Sequence, residues 1–159
     1  MIDAKRPFPW PILSVLLLAV LVACAPAGPT GVQAEAQIAP PGGAARVWFI
    51  RQFELGESIG LAPQVYVNGA PLIGAVAGTA FTRDLPPGTY TFSVETCSRD
   101  TNQSQTLALA PGTQTFLEIQ VLSSFTSPDC RASGTFYVRQ ILPQTAQFYL
   151  QQVTYLGPR

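Results

Sequence analysis

Residues 79–96 read TAFTRDLPPGTYTFSVET. In the second half of this stretch Tyr90, Phe92 and Val94 alternate with Thr91, Ser93 and Glu95. One apolar and one polar face at a period of two is the pattern of a half-buried β-strand. Pro86-Pro87-Gly88 ahead of it makes a turn, because proline holds φ and glycine accepts a positive one. Residues 79–85 are then the strand that enters the turn.

The same grammar extends in both directions. Towards the C-terminus, residues 106–109 run into Ala110-Pro111-Gly112. Residues 113–122 follow, placing Leu117, Ile119 and Val121 on one face and Glu118 and Gln120 on the other. LPPGTYTF at 85–92 is echoed by LAPGTQTF at 109–116, as any proline-glycine turn entering a strand would be. Residues 135–142 form a last strand. Towards the N-terminus, residues 64–67 end at Asn68-Gly69, the strongest dipeptide signal for a tight hairpin, with 72–76 as the return. Residues 46–53 place Val47, Phe49 and Phe53 opposite Trp48, Ile50 and Gln52. Strands at this spacing with turns between them predict a mainly β fold. The expected architecture is an antiparallel β-sandwich of about seven or eight short strands over residues 45–159. Pro143, the 3–4 spacing of Ala146, Tyr149, Leu150 and Val153, and Gly157-Pro158 predict a short C-terminal helix over 143–153. Its glutamine side (Gln144, Gln147, Gln151) would face water.

Composition narrows the chemistry. The chain has 159 residues, room for one ordinary domain. Nine basic residues balance nine acidic ones, so no basic field draws nucleic acid. Histidine is absent, which excludes Ser-His-Asp triads, Cys-His dyads and His-ligated metals. Charged residues make up 11%, against about 25% in a typical soluble protein.

The first 24 residues read as an export address. Lys5 and Arg6 precede an apolar run, residues 12–23, that only Ser14 interrupts. This is too short to span a bilayer and fits the apolar region of a signal peptide over residues 1–23. It closes on Leu21-Val22-Ala23-Cys24, which resembles a bacterial lipobox, with Cys24 as the residue that takes the lipid. A plain secretory signal is the alternative; the length of the run, Leu21 and the position of Cys24 agree better with the lipobox. Residues 24–44 would be the lipidated cysteine and a flexible Ala/Pro/Gly tether, roughly 25 Å in root-mean-square span. Ala25 stands where an aspartate would retain a lipoprotein in the inner membrane, so the outer membrane, facing the periplasm, is the expected site. Export places Cys97 and Cys130 where disulfides persist. Both lie in polar, turn-rich surroundings, so they are read as a pair, with two free thiols as the alternative. Such a bridge would contribute about 3–4 kcal/mol.

Val65-Tyr66-Val67-Asn68-Gly69, residues 81–84, LPPGTYTFSV at 85–94 and LALAPG at 107–112 together resemble the bacterial domain-of-unknown-function family numbered 2846. The resemblance covers roughly residues 45–155. It implies a small exported lipoprotein bearing one compact β domain, similar also to the PEGA and carboxypeptidase-regulatory types of sandwich. It carries no catalytic residues with it.

Candidates for chemistry are few. Glu54 and Glu57 share a glycine-flanked loop where a pair of acids would act on a glycan if held about 5–9 Å apart, but loop acids are usually solvated. Asp84 beside Arg83 and Asp100 beside Arg99 read as surface turn charges. No phosphate loop, calcium loop or other metal motif occurs, so no catalytic residue, metal or cofactor is expected. Trp48, Tyr66 and Tyr137 are candidates for an aromatic platform that binds a sugar or peptide; for Trp48 core packing is the competing account. The expected function is that of a membrane-anchored, non-catalytic sandwich binding an envelope protein or cell-wall glycan. An accessory or chaperone lipoprotein of an export or assembly system is the alternative, and a cell-wall hydrolase the third reading.

Overall fold

The computed structural model describes residues 31–53, 60–97, 100–122 and 134–159. Nine strands occur among them: β1 (Ala45–Arg51), β2 (Gln64–Val67), β3 (Ala70–Gly74), β4 (Thr79–Leu85), β5 (Gly88–Val94), β6 (Gln105–Leu109), β7 (Gln114–Leu122), β8 (Thr135–Ile141) and β9 (Thr154–Pro158). A one-turn helix α1 (Gly31–Glu35) precedes β1, and α2 (Pro143–Leu150) lies between β8 and β9. The strands form a β-sandwich, one sheet in the order β8-β7-β1-β4-β9 and the other β3-β2-β5-β6.

The topology departs from the expected one in two ways. β1 pairs with β7, and β4 with β9, in parallel, so the five-stranded sheet is mixed rather than antiparallel. The two echoed proline-glycine turns do not close hairpins within a sheet. The first carries the chain from β4 in one sheet to β5 in the other; the second carries it back from β6 to β7. A chain that returns from the opposite sheet is free to arrive alongside β1 in either direction. By contrast, Asn68-Gly69 is a true hairpin: both residues have positive φ, 50° and 79°, as a type I′ turn requires. Asn68 also lengthens the ladder, its N–H donating to Thr91 O and its Oδ1 accepting from Thr91 N–H, each at 2.8 Å.

The alternation read from the sequence builds the core between the sheets. Val47, Phe49, Phe81, Phe92, Val94, Leu117, Ile119 and Val138 meet there, with Phe49 stacked on Phe81 at 5.0 Å and edge-on to Phe92 at 5.8 Å. β1, however, is buried along its entire length. A second apolar cluster covers its other face, where Trp48, Ile50, Ala80 and Phe116 pack under Ala36, Ala146 and Leu150. The molecule therefore has three layers: a four-stranded sheet, a five-stranded sheet, and an outer layer of α1, α2 and the chain around them.

That outer layer changes the expected boundaries. Residues 31–44, expected as tether, are docked: Ala36 is buried, and Gln114 Nε2 donates to Ala36 O at 2.9 Å and to Ile38 O at 3.2 Å. α2 covers eight of the eleven residues read as helix, and the chain then forms β9, which the sequence reading lacked. β1 ends at Arg51, so Phe53 does not continue the face of Val47 and Phe49 and is exposed. Among the described residues no helix is long and apolar enough to cross a membrane.

Candidate functional site

The aromatic platform does not assemble. Trp48 is fully buried on the outer-layer side of β1; its Nε1 donates to Gln114 Oε1 at 2.7 Å, and its ring lies 5.2 Å from Tyr155 and 6.2 Å from Phe116. A buried indole whose N–H is satisfied is core, and Trp48 is withdrawn as a binding residue. Tyr137 is also buried, 4% exposed, under Arg139, whose guanidinium sits 5.3 Å from its ring. Tyr66, half-buried, points away from Val65 and Val67 and so lies on the outer face of the four-stranded sheet, with both sheets between it and Trp48. The alternation of each strand was legible; which sheet each strand joined was not.

The acidic residues read as surface charges are tied into the scaffold. Arg46, buried on the outer-layer face of β1, makes a two-point contact with Asp84 (Nε–Oδ1 2.8 Å, Nη2–Oδ2 2.9 Å) and donates through Nη1 to Glu35 at 2.8 Å. These bonds hold the guanidinium pKa above its ordinary value, the Asp84 hydrogen bond first. Asp100 accepts from the Tyr137 hydroxyl at 2.6 Å and from Thr101 N–H at 2.7 Å. In that order the two bonds keep its carboxyl below the usual range, while the shared bond pushes the tyrosine up. Glu118, on β7, accepts from Gln52 Nε2 at 2.6 Å. Glu95 accepts from Gln64 N–H at 3.1 Å. Arg46 with two acids on separate elements was missed because the partners lie 11 and 38 residues away, beyond any local pattern.

The recess that remains lies at the end of the sandwich where β1 stops. It encloses about 400 Å³ and is lined by Leu61, Ala62, Pro63, Glu95, Thr96, Cys97 and Phe136. Arg51 adjoins it, buried, donating through Nη1 to Leu61 O at 2.5 Å and to Ala75 O at 2.7 Å, its guanidinium 5.0 Å from the Phe136 ring. Arg51 thus pins the chain segments on either side of the β2–β3 hairpin to the end of β1. Thr96 Oγ1 accepts from Phe136 N–H and from Gln103 Nε2, both at 3.1 Å. The walls are mixed: Leu61, Ala62, Pro63 and Phe136 are apolar, while Glu95, Thr96 and Cys97 add polar groups. Among the described residues no group of His, Cys, Asp and Glu is placed to hold a metal ion.

Cys97, exposed, is a rim residue, and its N–H donates to Gly134 O at 3.4 Å. Cys24, Cys130, Glu54 and Glu57 lie outside the described residues.

The class is thus a mixed β-sandwich with a third, partly helical layer and a recess of mixed lining at one end. No protein-family model matches the chain, and no curated protein matches it.

Proposed function

We propose that this chain is a bacterial envelope lipoprotein of the kind its strand and turn motifs resemble. It is held by lipid on Cys24, at the periplasmic side of the outer membrane, and its sandwich binds an envelope protein or a cell-wall glycan without catalysing a reaction. The observation that carries this reading is the Leu21-Val22-Ala23-Cys24 box, followed within a few residues by a folded domain that begins at α1. The non-catalytic part is supported by the acids. All five described carboxylates (Glu35, Asp84, Glu95, Asp100 and Glu118) accept hydrogen bonds from scaffold groups. A carboxylate spent in this way is poorly placed to exchange protons with a substrate.

A second reading, an accessory lipoprotein that offers a strand edge to an assembling partner, is favoured by β6. Its sequence QTLAL carries neither charge nor proline, and among the described residues no strand pairs along its outer edge. Edges without such protection accept a further strand. The Cys97–Cys130 disulfide belongs to the same proposal; the bond from Cys97 N–H to Gly134 O brings the chain shortly after Cys130 to the Cys97 rim.

The test uses protein isolated from membranes. Mass spectrometry without reduction is expected to find an acylated N-terminal Cys24 and a peptide joining Cys97 to Cys130. Crosslinking from intact membranes is expected to capture a partner, with Glu95→Gln leaving capture intact and substitutions on the β6 edge reducing it only if the second reading holds. Full-length, unacylated chain in the membrane fraction would overturn the anchoring. Turnover of peptidoglycan abolished by one carboxylate change in a folded protein would overturn the binding-only reading.

A further inference from the structure

We infer that the outer layer is the face this protein lays on the lipid bilayer, with Ile38, Leu142 and Phe148 seated at the boundary between headgroups and acyl chains. The inference rests on the proposed lipid on Cys24 and adds to it an orientation.

Three observations carry it. Ile38, Leu142 and Phe148 are 54%, 70% and 60% exposed, and all three belong to the outer layer. Phe148 cannot turn inwards: on α2 it lies two residues from both Ala146 and Leu150, the pair that α2 buries, and so projects from the opposite side. The layer is also almost free of charge. Residues 142–158 carry none, and residues 31–44 carry only Glu35, which shares Arg46 with Asp84 and lies 2.8 Å from it. A surface with so few charges, its one carboxylate paired, loses less hydration than a charged one when it approaches lipid.

The third observation is the length of chain outside the described domain and where it ends. Residues 25–30, APAGPT, join Cys24 to α1. Fully extended, the link spans at most about 25 Å, at roughly 3.3–3.6 Å per residue. α1 is itself part of the outer layer. The anchor therefore presents this layer to the bilayer, while the four-stranded sheet and Tyr66 lie on the far side, about 10 Å per sheet further out. Three apolar side chains without basic neighbours would not hold a free protein to a membrane, since interfacial helices normally add cationic attraction to apolar burial. On a tether this short the association is intramolecular, and a high effective concentration replaces that attraction. Seating is then independent of anionic lipid and of salt.

The test uses the mature acylated protein in vesicles of neutral phosphatidylcholine containing lipids brominated along the acyl chain. Trp48, fully buried, supplies a constant background, and Trp10 precedes Cys24. Phe148→Trp is expected to add an emission that brominated lipid quenches by half or more. Tyr66→Trp is expected to be quenched no more than Trp48 alone. The difference is expected to persist at high salt and to be unchanged by anionic lipid. Protein that floats with the vesicles while Phe148→Trp stays as unquenched as Tyr66→Trp overturns the orientation and leaves the anchor standing. Loss of quenching accompanied by crosslinking between copies through position 148 overturns it in favour of self-association. Protein that carries no acyl group overturns the anchor, and this inference with it.

Discussion

The two faces of β1 are held by different physics. Towards the four-stranded sheet, Val47 and Phe49 meet many apolar partners drawn from most of the strands, and the loss of one leaves the others in place. Towards the outer layer, Trp48 and Ile50 also lie in apolar surroundings, but the layer above them is fastened by a few directional bonds. Arg46 reaches Glu35 and Asp84, and Gln114 accepts from Trp48 Nε1 while donating to two carbonyls of the incoming chain. The inner face gains its strength from area. The outer face gains its register from geometry, so a single polar substitution there releases a specific segment and leaves the sandwich intact.

Breaking the inner face is expected to have the largest effect. Phe49→Ala removes a ring stacked on Phe81 and edge-on to Phe92 and should cost about 3–5 kcal/mol, unfolding the domain as a unit in a urea titration followed by fluorescence of Trp48. A loss confined to one sheet, with the outer layer still protected from hydrogen exchange, would show that the two faces fold independently.

Arg46→Met is expected to come second, at about 2–3 kcal/mol, since two acids lose a charge-assisted partner. Its signature should be local: amide exchange rises in residues 31–44 and at β4, while protection of Leu117 and Ile119 is unchanged. Uniform loss across both sheets would erase the distinction between the faces.

The smallest effect should come from the Asp100–Tyr137 bond at the margin of the five-stranded sheet. Asp100 is shifted down, so the stabilisation it provides is present above its unfolded-state pKa and is lost as pH falls through the lower value of the folded state. Tyr137 is shifted up, so its contribution is present below its unfolded-state pKa and is lost as pH rises through the higher folded value. Tyr137→Phe is therefore expected to lower the melting temperature modestly near pH 7, where both contributions are fully present, and to flatten its pH dependence at both the acidic and the alkaline end. An unchanged profile would show that the bond does not contribute in solution.

The comparison also marks what local reading captures. The inner core was legible because alternation is local: Phe92 and Val94, or Leu117 and Ile119, declare their face within five residues. The Asn68-Gly69 hairpin was legible for the same reason. The third layer was not. A strand buried on both faces shows no alternation between apolar and polar residues, and RVWFIRQF does not say whether Trp48 meets solvent, a partner or a helix. β9 was hidden because Thr154-Tyr155-Leu156 is short and Gly157-Pro158 reads equally well as the end of a helix. Phe148 lies off the apolar stripe of α2 and drew no reading from the sequence, because only the packing of that stripe on Trp48 and Phe116 leaves it outside. The candidate site was least legible, because the recess beside Arg51 is made by backbone of Leu61 and Ala75 meeting Phe136 from a distant strand.

The parallel pairing of β1 with β7 has a consequence for the order in which the molecule can assemble. β1 is the first strand among the described residues, yet its bond from Trp48 to Gln114 closes a loop of 66 residues, and the bond between Thr82 and Tyr155 closes one of 73. Contacts this distant must be made against the entropy of the intervening chain, which places such topologies among the slow folders, milliseconds to seconds rather than microseconds. The central strand of the larger sheet therefore waits for the last third of the polypeptide before either of its faces is complete. The hairpin of β2 and β3 can form locally, whereas the five-stranded sheet closes only when β7 and β9 join β1 and β4.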